Sequence, residues 1–296
     1  MGVNIAKLVN FRNLKEEVLE GKKIAVDTYI QLHQFVRTMP LLADDKGNVT
    51  THLSGLFYRT ARLLEMGAKP VFVFDGPFLL PDEKPEPVVM PRVSETITLK
   101  MAEDAKQLIS LMGLPVVQAI SDGEAQAAYI CSNGDAWAVA SQDYDSLLYN
   151  ASRLVVNLTM SKTRKTSAGD KIIIGMQYVE LEHMLKELGI SRKQLAALAM
   201  LVGTDYNKGI YGIGQKKALK MALKYGDDFG TMFSELGWKD EYAWEQVYNH
   251  IMHMPVVKDY KLKWNTIDRV GIIKFLVDER GFNMERVENA VKRCMK

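Results

Sequence analysis

The sequence predicts an α/β fold with a mainly parallel sheet, followed by a helical C-terminal part. Three observations carry that expectation. Short apolar runs, of the kind that form strands buried on both faces, recur through the first half of the chain. Segments with apolar residues spaced by threes and fours lie between them. From about residue 180 the strand-like runs give way to helical periodicity with short turns.

The strand candidates, in order, are KKIAVD (22–27), KPVFVFD (69–75), LPVVQA (114–119), AWAVASQD (136–143) and RLVVNLT (153–159). A helix is expected from Thr51 to Gly67, with Leu53, Leu56, Phe57, Leu63 and Leu64 on one face. A second begins after Ser94 as N-cap and places Ile97, Met101, Ala105, Leu108 and Met112 together. Between Pro77 and Pro91 stand five prolines, which lack the amide proton and clash with a preceding helical turn, so this stretch reads as an extended loop. Later, SRKQLAALAMLVG opens on a Ser191–Gln194 capping box and stops at Gly203. The remainder to Lys296 reads as helices joined by turns, without internal repeat or low-complexity tract. Trp137, Trp244 and Trp264 are expected in the core.

With 296 residues, 47% of them apolar, the chain can bury a large core in one domain or two smaller ones. No apolar run reaches the roughly eighteen residues of a membrane span, and no secretory apolar stretch follows the N-terminus. Cys131 and Cys294 are too few and too far apart for a disulfide framework or a zinc motif. A soluble intracellular protein is expected. The net charge of +2 does not by itself announce a nucleic-acid binder. Basic residues nonetheless gather at Lys162, Arg164 and Lys165, at Lys216, Lys217, Lys220 and Lys224, and at Lys292, Arg293 and Lys296. Such clusters are either solvated helix faces or, if the acids converge elsewhere, a phosphate-binding track.

The acids have their own pattern. Three apolar runs end on aspartate, at Asp27, Asp75 and Asp143, with Asp145 two residues on. In open α/β sheets ligands sit beyond the carboxyl ends of the strands, so these side chains can meet at one sheet edge; an aspartate there can also simply start a turn or cap a helix. Asp122 and Glu124, in SDGEAQAAYI, stand where a loop enters a helix. Ser121 and Glu124 have capping-box spacing, so Glu124 has a purely structural alternative. Asp205, in LVGTDYN, follows the helix stop. Clustered carboxylates repel unless something positive neutralises them. Oxygen-only ligands favour a hard cation, Mg²⁺ or Mn²⁺, over zinc, and two such ions form the usual clamp for phosphodiester hydrolysis.

After Asp205, NKGIYGIGQKKALKMALKYG places a turn from Gly212 to Gly214 before a helix that opens with Lys216 and Lys217. Glycines there let a phosphate approach backbone amides at a helix N-terminus, without any base being read. This is helix-hairpin-helix chemistry.

With these motifs in hand, the sequence resembles the flap endonucleases, structure-specific 5′ nucleases of replication and repair. The resemblance runs from Met1 to about Lys292 and rests on MGV, IAVD, HLSGLFYRT, KPVFVFDG, EAQAAY, SQDYDSLL, LVGTDYN and GIGQKKAL. It implies a PIN-like nuclease fold, a mixed, mostly parallel central sheet flanked by helices, with a helix-hairpin-helix module. Residues 1–205 would form the metal-dependent core, with 77–93 as a proline-rich loop, and 206–296 the DNA-binding module and C-terminal helices. It implies further that Asp27, Asp75, Asp122, Glu124, Asp143, Asp145 and Asp205 are catalytic and surround two Mg²⁺ ions, for which Mn²⁺ can substitute. Most of the family carries glutamate where this chain has Asp122, which makes that ligand the one whose reach differs. Gly2 matches a glycine that packs near the active site, and Gly209 to Gly214 match a hairpin that holds K⁺ against a DNA phosphate. His33 stands where relatives often stack a tyrosine on a base; on residue chemistry alone it is equally a satisfied polar residue on a helix.

Two departures stand out. Relatives carry a basic helical arch after KPVFVFDG, through which a free 5′ strand threads. Here 46 residues lie between Asp75 and Asp122, and Lys84 is the sole basic residue between Gly76 and Arg92, so the arch is expected to be shortened or replaced. The chain also ends NAVKRCMK, without the Gln-x-x-Leu-x-x-aromatic-aromatic tail that docks a sliding clamp, so clamp binding is either absent or held outside this sequence. The implied activity is 5′ flap endonuclease and 5′→3′ exonuclease action on branched DNA, by a monomer without membrane attachment. The alternatives are a hydrolase of another substrate, such as RNA, and a DNA-junction binder that cleaves weakly or not at all because the arch is reduced.

Overall fold

The computed structural model of the chain describes residues 2–77, 79, 81, 97–158, 163–165, 171–173 and 175–295. Ser94, Lys84, Lys162, Lys296 and most of the proline-rich segment lie outside the described residues.

The sheet is built from β1 (Arg12–Asn13), β2 (Lys23–Asp27), β3 (Lys69–Phe74), β4 (Val116–Gln118), β5 (Ala138–Ala140), β6 (Arg153–Val156) and, after a separate hairpin of β7 (Thr163–Lys165) and β8 (Lys171–Ile173), β9 (Gln177–Glu180). Its spatial order is β1-β9-β6-β5-β2-β3-β4. The pairs β2–β3, β2–β5, β3–β4 and β5–β6 are parallel, while β9 pairs antiparallel with β6 and β1. The five predicted runs supply the parallel strands, and the sheet is mixed because β1 and β9 close one edge. Neither of these two strands carries an apolar run: β1 is Arg-Asn and β9 is Gln-Tyr-Val-Glu. Register and neighbours, not composition, make them strands. Arg164 and Lys165 fall on β7.

The central strands are apolar throughout because both faces are covered. Ile24, Val26, Phe72, Phe74, Ala138 and Ala140 point into one core, and the alternating Ala25, Val71, Val73 and Val139 into another. The first core is closed by α1 (Thr28–Thr38), α2 (Thr51–Glu65) and α3 (Leu99–Leu111), and by α11 (Arg269–Ile273) and α12 (Met284–Cys294) near the C-terminus. Leu53, Leu56 and Phe57 of α2 share that core with Val287, Ala290 and Val291 of α12. On the opposite face lie α4 (Gly123–Ser132) and the short α5 (Asp145–Leu148). A further core gathers α6 (Leu181–Leu188), α7 (Arg192–Val202), α8 (Gln215–Tyr225), α9 (Phe229–Leu236) and α10 (Trp244–Met252) with Val3, Ile5 and Leu8 of the N-terminal segment. Trp137, Trp244 and Trp264 pack against these cores.

Local signals set several boundaries. Ser191 and Gln194 form the expected capping box, and Gly203 ends α7. The helix expected after Ser94 instead starts at Leu99, because the Thr98 hydroxyl caps it by accepting from the Met101 amide at 3.2 Å. Ile97 therefore lies before the helix, where it is buried. No helix among the described residues is long and apolar enough to cross a membrane.

Candidate active site

Five connections bring acids to the carboxyl edge of the sheet. Asp27 is the last residue of β2 and also the N-cap of α1, where Oδ1 accepts from the Ile30 amide at 3.2 Å. Asp75 follows β3, and its Oδ1 accepts from the Gly123 amide at 2.7 Å. Asp122 caps α4 by accepting from the Ala125 amide at 2.9 Å. The N-cap of this helix is therefore Asp122 and not Ser121, so Glu124 is released from the capping-box alternative and turns inward. Asp143 and Asp145 come from the β5–α5 connection, and Asp205 from the turn after α7. All seven carboxylates line one cavity of about 220 Å³, together with Tyr29, Ile30 and His33 of α1. His33 is thus at the cavity, and it is not merely a residue on an outer helix face.

The chain's own start closes the site. The Val3 amide donates to Asp145 Oδ1 at 2.7 Å. A Cβ on Gly2 would lie 2.8 Å from Asp143 Cβ and 2.9 Å from Asp145 Oδ2, so only glycine fits there. A Cβ on Gly123 would lie 2.4 Å from Asp75 Oδ1, which makes this glycine part of the site's geometry as well. Ser141 ties two acids together: its hydroxyl donates to Asp27 Oδ2 at 3.4 Å and accepts from the Asp143 amide at 3.2 Å. Val3, Gly123, Ser141 and Tyr29 went unread in the sequence. Only Gly123 left a signal, as a glycine wedged between two candidate ligands.

Asp27, Glu124 and Asp145 are buried. Burial, and then the charge of Asp75, push the Asp27 carboxyl well above the usual carboxylate range, against the opposing Ile30 hydrogen bond. Burial and then the charges of Asp145 and Asp27 do the same to Glu124. For Asp145 burial dominates; the Val3 amide opposes it, and Asp122 and Asp205 add to it. Asp143 is raised less, chiefly by burial. The phenol of Tyr29 is pushed up to about 12 by burial and Asp75.

The donors fit a hard dication. They are all oxygens, no lysine or arginine among the described residues lines the cavity, and Glu124 Oε1 is buried without a hydrogen-bond partner. Among the described residues, no three acidic, histidine or cysteine side chains are placed to hold one ion directly between them. The arrangement therefore suits an ion that keeps several of its waters and takes one or two carboxylates, as Mg²⁺ does, more than a fully dehydrated protein cage.

Beside the cavity, α7 and α8 form the hairpin. Gly209 and Gly212 have φ of +78° and +76°, and Gly214 is the N-cap of α8. A Cβ on Gly209 would meet the Val202 carbonyl oxygen at 2.5 Å. Lys216 and Lys217, in the first turn of α8, are exposed, as is Tyr211 at the tip. Gln215 anchors the hairpin to the N-terminal segment, accepting from the Lys7 amide and donating to Asn4 Oδ1, both at 2.7 Å.

A mostly parallel sheet with an acidic cavity at its carboxyl edge, beside a glycine-rich hairpin, defines an α/β nuclease of the PIN-like fold. The XPG N-terminal domain family matches residues 3–86 and the XPG I-region family residues 113–205. Flap endonuclease 1 of Pyrococcus abyssi is 44% identical, with 100% of this chain and 94% of that protein covered. The structure of flap endonuclease-1 from Methanococcus jannaschii matches with a TM-score of 0.85 at 34% identity, covering 99% and 98% of the two chains. The catalytic core of Rad2 in complex with DNA substrate matches with a TM-score of 0.76 at 23% identity, covering 98% and 97%, a likeness of fold. The chain belongs to the flap endonuclease 1 family.

Proposed function

We propose that this protein is a structure-specific 5′ flap endonuclease and 5′→3′ exonuclease that hydrolyses DNA at junctions of single and double strands. The observation that carries the reading is the convergence of seven carboxylates on one cavity next to a glycine-rich hairpin. Family membership supports it, and a pure junction binder has no use for a negative pocket beside phosphate. Asp27, Asp75, Asp122, Glu124, Asp143, Asp145 and Asp205 would hold two Mg²⁺ ions, with Mn²⁺ as a substitute. When bound, such ions activate water and neutralise the leaving oxygen.

The chain's own groups do the rest. Gly123, Ser141, Val3 and Gly2 fix where the carboxylates point. His33 stacks on a base at the cavity mouth. Gly212, Gly214 and the Lys216–Lys217 pair grip a duplex phosphate, and the Gly209–Gly214 loop would take K⁺. On this reading residues 1–205 cut, and residues 206–296 bind duplex DNA and brace the core.

On this reading the arch is shortened or replaced. The alignment with the Pyrococcus abyssi protein runs over 329 positions, more than the 296 residues of this chain, so that relative carries residues this one lacks. Lys84, the sole basic residue between Gly76 and Arg92, lies outside the described residues. A 5′ end blocked by a bulky group should therefore slow this enzyme less than it slows an arched relative; equal slowing would count against the idea. The primary test is cleavage of a labelled double-flap DNA with Mg²⁺, with EDTA, and by Asp143→Ala. A Mg²⁺-dependent cut near the junction that vanishes in the variant is expected; binding without a cut in Mg²⁺ or Mn²⁺ would refute the nuclease reading.

A further inference from the structure

Asp122 is the shorter of the two acids, Asp122 and Glu124, that stand at the entry to α4. One of its oxygens is committed to the α4 cap, accepting from the Ala125 amide at 2.9 Å. The other faces a phenol: the Tyr149 hydroxyl donates to Asp122 Oδ2 at 3.4 Å. Tyr149 is the residue just after α5, four positions from Asp145, and its amide donates to the Asp145 carbonyl at 3.0 Å. One helical turn therefore sends Asp145 into the cavity and sets a hydroxyl behind Asp122. Tyr206, whose hydroxyl interacts with that of Tyr149, directly follows Asp205. Its ring is held edge-on to His250 with centroids 4.5 Å apart. Two phenols thus join three acids that come from three separate elements.

We infer that Tyr149, braced by Tyr206, is a positioning residue for the metal site, holding Asp122 with its remaining lone pairs toward the cavity. The inference rests on the reading of the cavity as a divalent-cation site. An aspartate with one oxygen used by a helix cap, and surrounded by like charges, otherwise swings away from its neighbours. A donor behind it disperses its charge and fixes its rotamer. Phenols suit that task because they stay protonated donors at neutral pH. The ring of Tyr149 serves separately: it lines a second pocket of about 190 Å³ with Tyr129, Arg192 and Met252. Removing the hydroxyl alone therefore leaves the packing in place.

The test is Tyr149→Phe, with Ca²⁺ binding measured by calorimetry on the DNA-free protein and the Mg²⁺ dependence of flap cleavage measured beside it. Loss of an outer hydrogen-bond partner weakens metal affinity about 10- to 100-fold. The 3.4 Å separation is long for an O–H···O bond, which sets the expectation at about tenfold weaker Ca²⁺ binding and a matching rise in half-saturating Mg²⁺. High Mg²⁺ should make up the cleavage deficit. Asp122→Glu, made in the Tyr149→Phe background, should restore Ca²⁺ binding, because the longer acid reaches without the phenol; in the Tyr149 background it should not help. A Tyr149→Phe protein that binds Ca²⁺ like the parent, or effects of the two substitutions that simply add, would overturn the inference. A parent protein that binds no Ca²⁺ or Mn²⁺ would overturn the reading beneath it, which keeps the two failures distinct.

Discussion

The acidic cavity and the α7–α8 hairpin adjoin through the turn that carries Asp205, yet they are built on opposite terms. In the cavity the charges are of one sign and several are buried, so each carboxyl feels its neighbours and is held by backbone amides and hydroxyls from distant parts of the chain. In the hairpin the charges are of the other sign and exposed, and the shape comes from glycine backbone conformations a few residues apart. Charges that lie in water act nearly independently and are screened by salt. Buried like charges form a coupled set whose behaviour depends on every member and on a missing counter-charge.

The largest expected effect probes the coupled set. Asp143→Ala should lower the rate of flap cleavage about a thousandfold, since loss of a metal clamp costs several kcal/mol of charge stabilisation at about 1.4 kcal/mol per decade. Single-turnover assays at saturating DNA measure it, and affinity for the flap in Ca²⁺ should change far less. Next in size is Gly123→Ala, whose new methyl must displace the Asp75 carboxylate. Ca²⁺ binding should weaken about 10- to 100-fold, and unchanged binding would show that Asp75 tolerates displacement.

A pH series sharpens the contrast further. The raised carboxyls of Asp27, Glu124 and Asp145 bind protons more readily in the folded state than in the unfolded one. Their contribution to stability is thus complete below the ordinary carboxylate pKa of about 4 and is lost as pH rises through their raised values. A bound dication relieves the repulsion that burial leaves. The gap in Tm between Ca²⁺-loaded and EDTA-treated protein should therefore widen from pH 5 to pH 8; a constant gap would mean that the acids are not coupled to the ion.

The smallest effect belongs to the hairpin. Lys216→Ala with Lys217→Ala should weaken flap binding about tenfold at low salt and flatten the dependence of log K on log salt by about one to two. The rate of cleavage from the bound complex should stay within about twofold, because on the proposed reading these cations would touch the duplex and not the reacting phosphate. A large fall in that rate would erase the division between the two regions.

How much was legible beforehand follows the same division. The parallel strands, the Ser191–Gln194 cap, the Gly203 stop and the hairpin glycines could be read from a few adjacent residues, and the structure has them. Six of the seven acids were visible at strand ends and a helix entry, and Asp205 after a helix stop; all seven line one cavity. What was not visible depends on residues far apart in sequence. Strands β1 and β9 have no strand-like composition and exist through their pairing. The start of α3 was misjudged because Thr98 and Ser94 are equally good caps on paper, and which hydroxyl meets the amide depends on the path of the chain. Ser121 lost the α4 cap to Asp122 for the same reason, and with it went the structural role for Glu124.

By itself, then, the sequence determined the class of fold, the α7 cap and stop and the glycine turn of the hairpin, because periodicity, capping and glycine conformations are set within a turn or two of chain, while its resemblance to the family named the seven acids that line the cavity. Tertiary structure alone decided that the Val3 amide holds Asp145, that Ser141 ties Asp27 to Asp143, and that the Tyr149 hydroxyl stands behind Asp122. Each of these joins segments tens to more than a hundred residues apart, and desolvation and hydrogen bonding across such distances exist only once the sheet has brought the segments together.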